Sequence, residues 1–170
     1  IPSFYPIVGG AEKQLMGLSM KIIESGQELD ILTRYQHRNQ RHEVINGCNV
    51  HRLGSSPRTI AFLLSLSLFI LKNRKSYRII HIHTLNSPAI ILVILGKIFR
   101  IKTIVKVTRS GKRTQLTRYR DSALGKLLFI LLRKHTSRFI AITEDVNTEL
   151  SSMGVPSKKI VQIPNGVDLP

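Results

Sequence analysis

The feature that most constrains the fold is an alternation of strand-like and helix-like segments along all 170 residues. Apolar residues three or four apart predict the helices, and short apolar runs between turn residues predict the strands. The predicted helices are 10–24, 56–71, 88–99, 122–134 and 144–153, and the predicted strands are 28–33, 42–53 with a turn at Asn46-Gly47, 78–83, 102–107, 138–142 and 159–163. Residues 108–120 are polar, have no apolar period and are predicted to form a loop. This pattern is typical of an α/β fold with a parallel sheet and helices on both faces.

Length and composition are those of a folded, soluble domain. The chain is long enough for one domain with a full core, and 42% of its residues are apolar. Cys48 is the only cysteine, which excludes an internal disulfide and a multi-cysteine metal site. The apolar runs are shorter than the roughly 20 residues that a bilayer span needs, and the first residues do not form a secretory signal. A cytoplasmic protein is therefore expected.

The charge is strongly basic. Lys and Arg number 26 against 10 acids, which gives a net charge of +16. Residues 97–138 carry 13 of these cations and one acid, Asp121. This stretch is either a solvated basic face or a patch for an anionic membrane or a phosphate-bearing substrate. Within it, 126–134 (KLLFILLRK) is interpreted as a core helix with charged ends rather than as a helix on a membrane surface.

A nucleic-acid-binding module is the interpretation from a different class. It requires aromatic side chains among the cations for base stacking. The basic stretch offers few aromatic side chains, among them Tyr119 and Phe129, and it contains no recognised binding motif, so nucleic acid is not the expected partner.

Ligands of open parallel sheets bind at the carboxyl ends of the strands. Gly9 and Gly10 come directly before the first predicted helix, and two glycines there leave backbone N–H groups uncovered for a diphosphate. A plain tight turn is the alternative interpretation of this pair.

Two histidines and three small polar residues mark the end of the strand at 78–83. His81 and His83 are two apart, so they point to the same face. No convincing third metal ligand accompanies them, so no metal is expected. His81 is expected to be buried and hydrogen-bonded, whereas His83 faces the mouth of a cleft in either a substrate-binding or a structural role. Thr84, Asn86 and Ser87 carry groups that suit sugar hydroxyls.

Four stretches resemble family 4 glycosyltransferases, in the order and spacing of that family. FYPIVGGAEKQ resembles their opening loop, and ESGQELDILT resembles the end of their first helix with the following strand. RIIHIHTLNSPA resembles a later strand, with Arg78 where an acid often stands. RFIAITEDVNTELSSMGVPSKKIVQIPNGVDL resembles the end of their N-terminal domain.

The resemblance implies a two-domain enzyme that transfers a sugar from a nucleotide-sugar to an acceptor, with retention of configuration. Residues 1–163 match its N-terminal, acceptor-side Rossmann-like domain without the first strand. Residues 164–170 begin the hinge, at Asn165 and Gly166, to a C-terminal domain that holds the nucleotide and the catalytic carboxylates. Gly9 and Gly10 match the donor-diphosphate loop, with Gly10 as the nearer contact. The chain then has no catalytic residue and no cofactor of its own, and it is inactive alone.

One segment departs from the family pattern. Many members carry a histidine and a glycine near the reacting sugar, where this chain has Thr108-Arg109. A histidine-assisted step is therefore in doubt. Arg109, Lys112 and Arg113 could clamp a phosphate by paired hydrogen bonds, or they could be a solubilising surface loop. The acceptor, a sugar-bearing or lipid-linked molecule, is expected to lie near His83, Thr84, Asn86, Thr108, Arg109 and Lys112.

Overall fold

The computed structural model describes residues 1–6, 9–36, 39–54, 59–109 and 115–166. The chain divides into two compact units, Ile1–Ile70 and Leu71–Pro170, and each contains its own sheet. The elements that begin in the first unit are helix α1 Gly10–Glu24, strands β1 Asp30–Arg34, β2 His42–Ile45 and β3 Cys48–Leu53, and helix α2 Thr59–Asn73.

The sheet of the first unit has the strand order β1-β3-β2. β1 and β3 are parallel, with Ile31 opposite Val50, whereas β2 and β3 form an antiparallel hairpin. Asn46 and Gly47 have φ angles of 49° and 80° at its turn. Asn-Gly favours this turn because both positions need a positive φ angle. The predicted turn is confirmed. Because of this turn, β2 runs antiparallel to β3, whereas β1 and β3 are parallel.

The core of the first unit follows from strand alternation. Ile31 on β1 and Cys48 and Val50 on β3 point inward and are buried together with Phe4. The apolar face of α1 packs against this cluster through residues at helical spacing: Leu15, Met16 and Ile23.

The second unit is built on a four-stranded, wholly parallel sheet in the order β4-β5-β6-β7. Its elements are β4 Ile79–Ile82, α3 Ser87–Phe99, β5 Lys102–Val107, α4 Thr117–Arg120, α5 Ala123–His135, β6 Arg138–Ala141, α6 Glu144–Ser152, a 3-10 helix Ser157–Lys159 and β7 Ile160–Gln162. The predicted Rossmann-like α/β fold is confirmed here, because each pair of neighbouring strands is joined by a helical crossover.

Local chemistry sets where these helices begin. Pro88 lies in the first turn of α3, where its missing N–H costs nothing. The Ser122 hydroxyl accepts a hydrogen bond from Gly125 N at 2.9 Å and caps α5, so that of the two candidate caps in the sequence, Asp121 and Ser122, the second is used. Thr143 caps α6 by accepting from Val146 N at 3.3 Å.

The core of the second unit lies between its sheet and these helices. The central strands β5 and β6 supply Val105, Val107, Phe139 and Ala141, all of which are buried. Helix α3 packs on β4 and β5, and α6 packs on β6 and β7. From α5, the Phe129 ring lies 6.5 Å from the Phe139 ring.

The predicted loop at 108–120 is partly wrong, because its last residues form helix α4. Leu116 and Tyr119 are three apart and buried, and α4 packs on α5. A single helical turn contains too few apolar positions to produce a detectable period.

Helix α5 is more exposed than a core helix. Phe129 and Leu132 are buried, but Leu124, Leu127 and Ile130 are 66%, 57% and 45% exposed. The interpretation of 126–134 as a core helix therefore describes one face of α5 and leaves an apolar outer face unexplained.

Candidate functional site

Gly9 and Gly10 form an open N-terminus on α1. Gly9 is the N-cap residue, with φ −123° and ψ −179° and no side-chain cap. A Cβ added at Gly10 would have nothing within 4 Å, and Gly10 is exposed. The first N–H groups of α1 and the positive end of its dipole are thus accessible to an anion.

A carboxylate lies on one side of this N-terminus. Glu12, in the first turn of α1, accepts a hydrogen bond from the Ser3 hydroxyl at 2.5 Å. A Cβ added at Gly9 would lie 2.5 Å from the Glu12 Oε2 atom, whereas the space around Gly10 is free. The open approach to α1 is therefore at Gly10, the glycine that the family resemblance makes the nearer contact.

Arg52 fixes the segment that leads to these glycines. Its guanidinium is buried, donates to the Tyr5 carbonyl at 2.7 Å and to the Gln40 carbonyl at 3.0 Å, and forms an ion pair with Glu43. The sequence analysis missed Arg52. The signal was present, because strand alternation places Arg52 on the inward face of β3 with Cys48 and Val50.

His81 in β4 and His83 directly after it are neighbours in space, as their spacing predicted. Their ring centroids lie 5.5 Å apart. His83 is only 2% exposed, so its side chain is buried and does not line an open surface. Among the described residues, the His81 Nε2 atom has no hydrogen-bond partner, so the expected hydrogen bond is not made at this atom.

A buried lysine accompanies His81. The register pairs His81 with Ile104, so Lys106, two residues further along β5, faces the same side of the sheet. Burial and then the charge of Lys106 lower the pKa of His81 to about 4, so the ring is neutral at pH 7. Burial likewise lowers the pKa of Lys106. A cation inside an apolar strand was the signal that sequence analysis overlooked.

Hydrogen bonds join the segments that follow β4 and β5. Asn86 Nδ2 donates to Thr84 Oγ1 at 2.8 Å, and Leu85 N donates to Gln115 Oε1 at 3.2 Å. Gln115 Nε2 in turn donates to Thr108 Oγ1 at 3.5 Å. The structure thus brings Thr84, Asn86 and Thr108 together at the carboxyl ends of adjacent strands, with Gln115 as the bridge that sequence analysis missed. Amide and hydroxyl groups in this arrangement can exchange hydrogen bonds with a polyhydroxyl ligand.

The remaining predicted site residues fall into three groups. Arg109 is exposed, and Lys112 and Arg113 lie outside the described residues. Asn165 and Gly166 are exposed and lie outside regular structure, and their role as a hinge stays a prediction. Gly9 and Gly10 belong to the first unit and the other site residues to the second, so their common cleft also stays a prediction.

Within the described ranges, no group of three or more His, Cys, Asp or Glu side chains could hold a metal ion. In the same part of the chain, no helix is both long and apolar enough to cross a bilayer.

Crystal structures of the Anabaena protein HepE (Alr3699) share this fold. The complex with UDP-glucose matches with a TM-score of 0.70 and 16% identity, over 98% of this chain and 43% of HepE. The complex with UDP and glucose matches with a TM-score of 0.67 and 17% identity, over 99% and 44% of the two chains. The complex with UDP matches with a TM-score of 0.65 and 17% identity, over 98% of this chain and 43% of HepE. The chain thus spans less than half the length of HepE, and the likeness establishes a Rossmann-like α/β fold.

The sequence identifies the family. Residues 8–169 match Glyco_transf_4, Glycosyltransferase Family 4. The chain belongs to Glycosyltransferase Family 4. No curated protein sequence matches the chain.

Proposed function

We propose that the chain is the N-terminal, acceptor-side domain of a glycosyltransferase that moves a hexosyl group from a nucleotide-sugar to an acceptor. The family match over residues 8–169 carries this proposal. The HepE complexes support a nucleotide-sugar donor, because they contain UDP-glucose, UDP or UDP with glucose. The hinge at Asn165 and Gly166 leads to a second domain that holds the nucleotide and the catalytic carboxylates.

The donor diphosphate binds at Gly9 and Gly10. As the sugar leaves, negative charge grows on the diphosphate, and the N–H groups and dipole of α1 stabilise that charge. The exposed Gly10 with free space around it supports this role. No metal or other cofactor is required, because the helix supplies the positive potential.

The acceptor binds at the polar cluster after β4 and β5. Thr84, Asn86 and Thr108 with the bridging Gln115 hold its hydroxyl groups, and Arg109 and Lys112 hold a phosphate when the acceptor carries one. His83 supports the loop from its buried position. The chain thus contributes proximity and electrostatic stabilisation rather than an acid or a base.

A transfer assay tests the proposal. The chain alone and the chain joined to a donor-binding domain of the family are given radiolabelled UDP-glucose and a panel of sugar-bearing acceptors. We expect product only from the joined protein, with the anomeric configuration of the donor retained by NMR. Product from the chain alone would refute the need for a second domain. Inverted product would refute the retaining assignment.

A binding experiment tests the donor site directly. Pyrophosphate is titrated into ¹⁵N-labelled protein, and the amide signals of Gly9 and Gly10 are followed by NMR. We expect these two signals to shift most, because their N–H groups face the open end of α1. Shifts confined to the basic stretch 97–138 would move the anion site away from α1.

We further propose that the protein works at the cytoplasmic face of an anionic membrane and contacts it through the outer face of α5. The exposed Leu124, Leu127 and Ile130 beside the exposed Lys126 and Lys134 support this contact. Such a face enters the headgroup region through its apolar side chains and attracts anionic lipid through its cations. Co-sedimentation with vesicles that contain phosphatidylglycerol should deplete the protein from solution at low salt. Protein that stays in solution would refute the contact.

A further inference from the structure

A cavity of about 270 Å³ lies beside α5, in the helical layer of the second unit. The rings of Tyr119 and Phe129, 5.8 Å apart, form part of its wall. Three cations, Arg120, Lys126 and Arg133, also line it. None of the described residues that line it belongs to a strand or to the polar cluster at the carboxyl ends of β4 and β5, so these residues form a separate site.

Among the residues that the structure describes, two of these cations have no acidic partner. Arg120 lies 3.1 Å from Asp121 and 3.6 Å from Glu149, so its charge is largely compensated. Arg133 donates to the Gly154 carbonyl at 3.0 Å. Within the part of the chain that the structure describes, neither Lys126 nor Arg133 forms an ion pair. Two uncompensated cations at one cavity favour an anionic ligand, and a guanidinium beside an ammonium suits phosphate oxygens.

The rim of the cavity continues into the apolar outer face of α5. Ile130 belongs to both, and Leu127 and Leu124 follow at intervals of three residues along the helix. A site for a free, fully hydrated phosphate ester has no need of such a rim. A headgroup still attached to its acyl chains brings apolar surface to these side chains, and their burial adds to the affinity.

We propose that this cavity binds the phosphate of an anionic lipid headgroup, with Lys126 and Arg133 on the phosphate oxygens and Leu124, Leu127 and Ile130 in the interface. The proposal rests on the membrane contact proposed above and gives that contact a lipid preference. A phosphomonoester at the bilayer surface, as in phosphatidate, presents more accessible oxygens and a higher charge than the phosphodiester of phosphatidylglycerol.

The test compares two kinds of vesicle with the same zeta potential, one containing phosphatidate and the other phosphatidylglycerol, each in phosphatidylcholine. Co-sedimentation should show tighter binding to phosphatidate. Lys126→Gln should remove that preference, with a loss of about fivefold on phosphatidate vesicles. Lys134→Gln is the control, because it removes the same charge from the same helix and Lys134 is not among the described residues that line the cavity. This variant should bind both kinds of vesicle more weakly by the same factor and keep the preference for phosphatidate.

The outcomes separate the two proposals. If neither vesicle binds the unchanged protein, the membrane contact itself is wrong and this proposal falls with it. If both vesicles bind equally, or Lys126→Gln and Lys134→Gln behave alike, the contact stands and the headgroup site is wrong. Glycerol phosphate in solution is the third arm. Lys126-dependent NMR shifts at millimolar glycerol phosphate, without any vesicle preference, would assign the cavity to a soluble ester and overturn the lipid assignment.

Discussion

At the scale of single residues, two glycines of α1 lie in similar surroundings but have different predicted roles. A Cβ added at Gly10 or at Gly17 meets nothing within 4 Å, so neither substitution clashes with the chain itself. We predict that Gly10→Val crowds the donor diphosphate and lowers kcat/KM by about 10²-fold, the cost of misplacing a reacting group. Gly17→Val, the control, should leave kcat/KM unchanged.

The measurement is sugar transfer by the two-domain protein that carries each variant, with circular dichroism to verify the helix. Both variants should fold, since valine is a better helix residue than glycine. If Gly10→Val and Gly17→Val have the same kcat/KM, Gly10 is not at the donor site.

His81 gives the second prediction for a single residue. Its folded pKa of about 4 is below its ordinary value of 6.5, because burial and Lys106 disfavour the charged ring. Between these two values the unfolded chain binds a proton that the folded chain does not, so stability falls as the pH drops. From about pH 7 to about pH 5 we expect a loss of about 1–2 kcal/mol from this residue.

Urea unfolding of the protein and of His81→Phe at both pH values measures this contribution. The variant should lose less stability than the unchanged protein on acidification. His42→Phe, at an exposed position of β2, keeps His81 and should therefore keep the part of the pH dependence that His81 supplies. An equal pH dependence in His81→Phe would show that His81 titrates normally in the folded chain.

Residues whose role depends on local backbone chemistry could be predicted from the sequence. Asn46-Gly47, Pro88 and Ser122 are examples, because the turn or helix end needs only neighbouring residues. The partners of Arg52 and Gln115 could not be predicted, since they are far away along the chain. Arg52 reaches back 47 residues to Tyr5, and Gln115 contacts Leu85, 30 residues earlier.

At the scale of elements, long periodic segments could be predicted and the short helix α4 could not. The predicted bounds of α1 and β5 agree with the structure residue by residue. Helix α4 has four residues and is held by its packing on α5 rather than by its own pattern. Gly125 makes this packing possible, because it lies directly against the backbone of Arg118 and Tyr119.

We predict that Gly125→Ala destabilises the protein by about 1–3 kcal/mol, the usual cost of overpacking. An added Cβ would clash with the Arg118 carbonyl oxygen and lie 2.9 Å from the Tyr119 Cα atom, so backbone must move. Gly17→Ala is the matched control, also in a helix but with free space, and should stabilise by up to about 1 kcal/mol. Urea unfolding gives both values. A Gly125→Ala variant as stable as Gly17→Ala would contradict the close approach of α4 to α5.

At the scale of the whole molecule, sequence and structure support different kinds of conclusion. Alternating segments and motif order are sufficient for the α/β class and the family, because each depends on the sequence of elements along the chain. The polar cluster after β4 and β5 could also be predicted in outline from the sequence, since the carboxyl ends of parallel strands share one edge of the sheet. The cavity beside α5 could not be predicted, because Arg120 joins Lys126 and Arg133 only when α4 packs on α5.

The net charge of +16 makes binding to polyanions in general the main alternative at this scale. Charge alone gives an affinity that falls steeply with salt, for DNA and vesicles alike. Stacking on bases would make binding less sensitive to salt. Of the aromatics within the basic stretch, however, Tyr119 and Phe129 are only 6% and 3% exposed, and Phe99 is partly buried with the Arg74 guanidinium 5.8 Å from its ring centroid. Leu127 and Ile130 are exposed, and burying such a side chain in lipid contributes about 1.5–3 kcal/mol that salt does not screen.

We therefore predict that salt separates the two kinds of partner. Raising NaCl from about 0.05 M to about 0.3 M should abolish binding to a random single-stranded oligonucleotide, by fluorescence anisotropy, while part of the vesicle binding persists by co-sedimentation. Leu127→Ser with Ile130→Ser should remove the persistent part and leave the oligonucleotide curve unchanged, because that substitution alters no charge. Oligonucleotide binding that survives high salt would instead favour a nucleic-acid partner, since the attraction would then exceed what the charge of the chain supplies once salt screens it.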